Sequence, residues 1–238
     1  MIESNSTNKA DGLLLLSKMP AESVHCAFFD PQYRGILDKL AYGNEKTGKQ
    51  ARRAALTQMP VDTIKKFIAK IDRVLLPSAY LFLWLDKYEI CQGSIKNWLR
   101  GTSLCLVDMI VWNKGHIGLG QRSRRTSEFL LVLQKPPKTV KNWRDHSIAD
   151  VWEEKLPTQK ELIEAGIIKK GEKAHPHRKP AGLQRRLIES VTNVGDTVID
   201  CAAGSYSVLD VCKEINRKCV TCDISFGEIW DIEKNIHK

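Results

Sequence analysis

Short apolar runs that alternate with helical patterns constrain the fold of this chain more than any other feature. The runs span residues 24–30, 79–86, 106–114, 128–135, 196–204 and 218–225. The helical patterns, with apolar side chains on one face, span residues 59–75, 179–192 and 207–217. Strands that alternate with amphipathic helices predict an α/β fold with a mostly parallel sheet.

Length and charge narrow the class of protein. The 238 residues fit one domain with decorations. A net charge of +9 suits a polyanionic partner, although many basic proteins bind no nucleic acid. No apolar stretch reaches the roughly 20 residues that span a bilayer. The first residues lack the pattern of a signal peptide. We therefore expect a cytoplasmic protein with no membrane partner.

Seven cysteines lie mostly in apolar runs, where a free thiol behaves as a small hydrophobic side chain. Cys219 and Cys222 form a C-x-x-C pair, but no second ligand pair stands at zinc spacing. We expect these thiols in the core of a protein from a reducing compartment, with no metal site.

An apolar strand that ends in Asp30-Pro31-Gln32-Tyr33 is the first candidate for chemistry. Ligands of open α/β sheets bind beyond the carboxyl ends of the strands. There the Asp30 carboxylate can accept a hydrogen bond from an amine, and the Tyr33 ring can stack on a planar base. Because Asp and Pro are ordinary turn residues, the tetrapeptide alone also fits a simple strand-ending turn.

A second candidate begins where residues 196–200 run into the small-residue turn Asp200-Cys201-Ala202-Ala203-Gly204-Ser205. Small residues allow a ligand close to the backbone, and Asp223 ends the next strand about 20 residues later. This spacing is typical of nucleoside-binding βαβ units. It does not separate a dinucleotide from S-adenosylmethionine.

The order of these motifs resembles that of the β-class DNA amino-methyltransferases. Asp30–Tyr33 is similar to their catalytic D-P-P-Y, and Asp200–Ser205 is similar to their cofactor motif I. His175-Pro176-His177-Arg178-Lys179-Pro180 resembles the motif that precedes motif I. Trp112–Lys114 and Gly120–Glu128 resemble a stretch between the two.

The resemblance implies a fold and a reaction. The fold is a Rossmann-like S-adenosylmethionine-dependent methyltransferase with circularly permuted motif order and a mostly parallel seven-stranded sheet. The single catalytic domain, 1–238, would carry a mobile loop at about 34–58 and a target-recognition insertion at about 135–174. The reaction is methyl transfer from S-adenosylmethionine to the 6-amino group of adenine in double-stranded DNA. A homodimer is also implied.

Roles for individual residues follow from the same resemblance. Asp30 and the Pro31 carbonyl would accept hydrogen bonds from the target amine, and Tyr33 would stack on the flipped base. The implied cofactor residues are Asp11, Asp30, Lys179, Asp200, Ala202, Gly204, Ser205 and Asp223. The basic residues expected to contact DNA are Arg34, Arg52, Arg53, Lys114, Arg122, Arg124 and Arg125.

The chain departs from the family pattern at two positions, and other functions stand beside adenine methylation as alternatives. Gln32 replaces the second proline of the motif, and Tyr206 stands where a second glycine is common. The alternatives are a cytosine 4-amino methyltransferase, an enzyme that methylates RNA or a protein glutamine, and a non-catalytic DNA-binding subunit of a methyltransferase pair. Methylation of cytosine carbon 5 is disfavoured, because it needs a cysteine nucleophile where Gln32 stands.

Overall fold

A computed structural model of the protein describes residues 4–31, 59–85, 87–118, 123–166, 169 and 178–224. Several predictions fall outside these residues. They concern Gln32, Tyr33, Arg34, Arg52, Arg53, Arg122, His175–His177 and the loop at 34–58.

Seven strands form one sheet in the order β5-β3-β4-β2-β1-β6-β7. The strands are β1 Val24–Phe29, β2 Leu75–Leu85, β3 Cys105–Asn113, β4 Ser127–Gln134, β5 Val151–Glu153, β6 Thr197–Asp200 and β7 Lys218–Thr221. Strand β4 runs antiparallel to β2 and β3, and every other neighbouring pair is parallel. The predicted seven-stranded, mostly parallel sheet is confirmed.

Helices cover both faces of the sheet. They are α1 Gly12–Lys18, α2 Val61–Val74, α3 Lys87–Cys91, α4 Ser94–Trp98, α5 Gln159–Glu164, α6 Ala181–Val191 and α7 Ser207–Glu214. Buried side chains of α1, α2 and α4 pack with Ala27 and Phe29 of β1, whereas those of α6 and α7 pack with Cys26 and Phe28. The alternation of neighbouring β1 side chains between two apolar layers explains why this strand is apolar throughout.

The sequence patterns located most strands and long helices but missed some elements. Helix α1 and strand β5 were not predicted, and β2 begins at Leu75, directly after α2. Strand β5 lies inside the segment predicted as a target-recognition insertion, 135–174. In that segment Trp143, Ile148, Trp152 and Leu156 pack against the core. At least part of it therefore belongs to the scaffold, and its role in recognition stays a prediction.

Cys219 and Cys222 are fully buried, as their apolar surroundings predicted. Among the described residues, no group of three His, Cys, Asp or Glu side chains is placed to hold a metal ion. Within the same residues, no helix has the length and hydropathy needed to cross a bilayer.

Candidate active site

The candidate site lies where β1 and β6 end side by side. Phe28 of β1 pairs with Asp200 of β6, so Asp30 follows β1 at the same edge of the sheet as Asp200. The connection after β1 leads to β2 on one side of this point, and the connection after β6 leads to β7 on the other side. Such a switch in strand order opens a crevice at the carboxyl ends of the strands. The two predicted motifs are brought together at this crevice.

Lys179 makes direct contact with Asp30. Its Nζ lies 2.9 Å from Oδ2 of Asp30 and 2.8 Å from Oε2 of Glu128. The ring of Trp84 lies 5.0 Å from the same ammonium group. Only 11% of the Lys179 side chain is exposed. The structure therefore places this predicted cofactor residue in contact with Asp30, the predicted catalytic carboxylate.

Glu128 is a site residue that sequence reasoning left without a role, although it ends the stretch that resembles the family. Its Oε1 lies 3.1 Å from Nζ of Lys114, and its Oε2 accepts from Lys179. Burial alone would raise the pKa of Glu128, but the charges and hydrogen bonds of Lys179 and Lys114 lower that pKa to about 2. The two lysines therefore favour the ionised form of Glu128.

The small-residue turn after β6 is hydrogen-bonded to the residues that follow β7. The amide of Ala202 donates to Oδ1 of Asp200 at 3.3 Å, and the amide of Gly204 donates to Oδ2 of Asp223 at 2.9 Å. The amide of Ala203 reaches the Cys222 carbonyl at 3.1 Å. Ser205 follows in the same turn and is half-buried. The predicted cofactor residues of β6 and β7 thus form one hydrogen-bonded unit.

Tyr206 shows how this turn accommodates a residue that departs from the family pattern. Its φ is 57°, in the left-handed region where glycine is favoured. The side chain is buried, and its hydroxyl donates to the Asn8 carbonyl at 2.6 Å. This anchor to the N-terminal segment provides a contact that a glycine could not make.

Asp11 begins α1 beside the same turn. Its Oδ1 accepts from the amide of Leu13 at 2.7 Å, which caps the helix. The next residue, Gly12, lies so close to the end of β6 that a Cβ there would stand 2.3 Å from the Cys201 carbonyl oxygen. Asp11, one of the predicted cofactor residues, is therefore adjacent to the small-residue turn after β6.

Asp200 is the most perturbed carboxyl group of the crevice. Burial raises its pKa to about 8, the nearby charges of Asp30 and Asp223 act in the same direction, and the Ala202 amide opposes them. Only 6% of Asp200 is exposed. Three carboxyl groups that crowd one crevice favour a ligand that carries positive charge and hydrogen-bond donors.

The basic residues of the β3–β4 connection have different environments. Lys114 is paired with Glu128 and largely buried, which limits its access to a phosphate. Arg124 Nε donates to the Gly118 carbonyl at 2.8 Å. A small cavity at this edge is lined by Lys87, Arg124, Arg125, Thr126 and Ser127. Lys87 was not among the predicted DNA contacts, because an isolated lysine after a strand gives no signal in the sequence.

This crevice in a mostly parallel sheet, with a small-residue turn and acidic strand ends, defines a nucleoside-binding α/β enzyme. Residues 24–234 match the N6_N4_Mtase family, described as DNA methylase. The chain belongs to this family. It is a DNA amino-methyltransferase, and its cofactor is S-adenosylmethionine. The family and cofactor implied by the sequence motifs are thereby confirmed.

Two curated relatives cover most of the chain. The Type II methyltransferase M.HhaII of Haemophilus parahaemolyticus is 47% identical over 226 residues, which are 94% of this chain and 92% of that protein. The DNA adenine methyltransferase YhdJ of Escherichia coli (strain K12) is 24% identical over 251 residues, which are 94% of this chain and 79% of the relative.

Solved structures support the fold. The PvuII DNA methyltransferase (cytosine-N4-specific) superposes with a TM-score of 0.67 at 17% identity, over 99% of this chain and 93% of that one. The M1.HpyAVI–SAM complex superposes with a TM-score of 0.60 at 15% identity, over 93% and 94%. These likenesses confirm the Rossmann-like methyltransferase architecture.

The residues of the crevice fit S-adenosylmethionine. The cofactor carries a positive sulfonium and ribose hydroxyl groups, and the crevice presents the carboxyl groups of Asp200 and Asp223 beside a turn of small residues. Burial raises the pKa of Asp200, and a positively charged ligand beside this carboxyl group would lower that pKa again.

Proposed function

We propose that this protein methylates the 6-amino group of adenine in double-stranded DNA, with Asp30 as the residue that holds the target amine. The observation that carries this proposal is the position of Asp30 at the end of β1, next to Asp200 of β6. The acceptor group and the cofactor turn thereby meet in one crevice.

The chemistry assigned to the chain is mainly positioning. Bound S-adenosylmethionine supplies an electrophilic methyl group. The Asp30 carboxylate and the Pro31 carbonyl accept hydrogen bonds from the two N–H groups of the target amine, which turns the nitrogen lone pair toward that methyl. Lys179 holds the Asp30 carboxylate by a direct ion pair at 2.9 Å. Tyr33, which lies outside the described residues, is proposed to stack on the flipped base.

Adenine is favoured over cytosine by two observations. The motif begins with Asp30, whereas serine is commoner at this position in cytosine 4-amino enzymes. The relative YhdJ is named as an adenine methyltransferase, and its match extends over 94% of this chain. The cytosine-N4-specific PvuII enzyme shares only 17% identity, so its likeness supports the fold alone.

The products of the reaction decide between the bases. The protein is incubated with labelled S-adenosylmethionine and unmethylated duplex DNA, and the digested nucleosides are separated. Label in N6-methyldeoxyadenosine supports the proposal. Label in N4-methyldeoxycytidine would show instead that the protein methylates the 4-amino group of cytosine. DNA that is bound but never labelled would indicate the non-catalytic subunit instead.

Cofactor affinity is expected to rise with pH because of Asp200. An acid with a pKa near 8 is protonated below that pH and ionised above it, and the ionised form attracts a cation. Between about pH 6.5 and 9, the affinity for S-adenosylmethionine should therefore increase several-fold. Calorimetric titration at each pH measures this change.

An Asp200→Asn variant and a neutral-sulfur ligand provide the controls. The variant should bind S-adenosylmethionine with a flatter pH profile. S-adenosylhomocysteine has the same amine without the sulfonium charge, so its affinity for the wild-type protein should depend less on pH. Identical profiles for wild type and Asp200→Asn would refute the role of this carboxyl group.

We also propose that Lys87 and Arg124 bind a DNA phosphate at the cavity beside the site. Replacing either with alanine should weaken DNA binding and reduce the slope of log K against log salt by about 1. Lys213, at the end of α7 that faces the opposite edge of the sheet, is the matched control. An equal effect of Lys213→Ala would show that only overall charge matters.

A further inference from the structure

Four charged side chains form an alternating series that ends at the catalytic carboxylate. Lys114 contacts Glu128 at 3.1 Å, Glu128 contacts Lys179 at 2.8 Å, and Lys179 contacts Asp30 at 2.9 Å. The charges are positive, negative, positive and negative, so the series is neutral as a whole. Lys114 follows β3 and Glu128 lies in β4. Two members of the series therefore lie in or directly after strands that carry neither the predicted catalytic motif nor the predicted cofactor motif.

The Lys179 ammonium is restrained from three directions. Asp30 and Glu128 each accept from it, and the Trp84 ring lies 5.0 Å away. A lysine side chain is flexible and carries a compact charge, so its position depends on partners of this kind. Of these three partners, Glu128 is the carboxylate that competes with Asp30 for the Lys179 ammonium.

We propose that Glu128 is a positioning residue for methyl transfer, which acts through Lys179 to hold the Asp30 carboxylate in the orientation that accepts the target amine. The inference deepens the proposed function and rests on the role given there to Asp30. It gives a role in the site to a residue of β4, which carries none of the motifs that predicted the site.

Loss of the Glu128 charge has a defined consequence. Among the described residues, Asp30 would then be the remaining carboxylate partner of Lys179. The ammonium group would direct its hydrogen bonds to Asp30, the group that must accept the target amine. Lys114 would lose its partner as well, and the two lysines would repel each other across the gap. A buried ion pair adds little net stability, so we attribute the arrangement to geometry at Asp30.

A Glu128→Gln variant tests the proposal, because it keeps the shape and removes the charge. We expect kcat for DNA methylation to fall about 10- to 100-fold, while KM for S-adenosylmethionine changes less than about threefold. Glu128→Asp should recover part of the rate. Glu153→Gln on β5, whose carboxylate bonds Asn113, is the matched control and should retain the wild-type rate.

A double-mutant cycle distinguishes positioning from a merely structural role. If Glu128 acts through Lys179, then Glu128→Gln should cost little further rate in a protein that already carries Lys179→Met. In the single Lys179→Met variant, Asp30 faces Asp200 without the neighbouring cation. The loss of kcat at low pH should then begin at a higher pH, and Lys179→Arg should restore the profile.

The outcomes separate this inference from the proposed function. Unchanged kcat in Glu128→Gln, or additive losses in the cycle, would overturn the inference even if Asp30→Ala is inactive. Full activity of Asp30→Ala would instead overturn the proposed function and with it this role. A thermal unfolding curve of each variant checks that a lost rate does not reflect lost folding.

Discussion

Replacing Asp30 with alanine is expected to reduce kcat for methyl transfer to DNA by about a thousandfold, because the target amine loses the acceptor that orients it. The cofactor turn is built by Asp200, Ala202, Gly204 and Asp223 and does not depend on this side chain. The affinity for S-adenosylmethionine should therefore change by no more than about tenfold. Single-turnover transfer and calorimetric titration measure the two quantities separately.

The matched control for this variant is Asp62→Ala, which removes an exposed carboxylate in the first turn of α2. It should transfer methyl groups at the wild-type rate. Lys179 retains Glu128 as a partner in Asp30→Ala, so the variant is expected to fold. A folded Asp30→Ala protein with more than about a tenth of the wild-type kcat would refute the role of this residue.

Gly12→Ala is expected to damage both stability and cofactor binding. A Cβ at this position would lie 2.3 Å from the Cys201 carbonyl oxygen and 2.7 Å from the Phe67 ring. Because the first neighbour is backbone, α1 must move away from the end of β6. Such overpacking costs about 1–3 kcal/mol of the free energy of unfolding. The displaced α1 should also weaken binding of S-adenosylmethionine by about tenfold.

Gly182→Ala in α6 is the matched substitution. There the new Cβ would meet the Glu154 carboxylate, which accepts from the amides of Gly182 and Leu183 at the start of α6 and would have to shift. We expect the weakened cap to cost about 1 kcal/mol of the free energy of unfolding and to leave cofactor affinity unchanged. Chemical denaturation and cofactor titration of both variants check the comparison. An equal loss of cofactor affinity in the two variants would show that the packing of α1 on β6 does not support the site.

The backbone of the fold was predictable because its signals are local. Apolar runs located β1, β2, β3, β4, β6 and β7, and helical spacing located α2, α6 and α7. Strand β5 has three residues, too few for a pattern to emerge. Helix α1 was missed because its seven residues include an uninterrupted leucine run without helical alternation.

The candidate site was only partly predictable. The motifs placed Asp30 and Asp200 at strand ends, and the parallel order of β1 and β6 brings them together. The partners of Lys179 could not be inferred, because Glu128 lies at the beginning of an antiparallel strand distant in sequence. Only the reversal of β4 brings its first residues to the edge at which the parallel strands end.

The most direct test of the account is a structure of the protein with S-adenosylhomocysteine and a DNA duplex that it methylates. We predict an adenine outside the duplex, its 6-amino group about 3 Å from the Asp30 carboxylate and the Pro31 carbonyl, with the Lys179–Glu128 pair intact behind Asp30. An extrahelical cytosine, or an adenine whose amine contacts neither Asp30 nor Pro31, would contradict it.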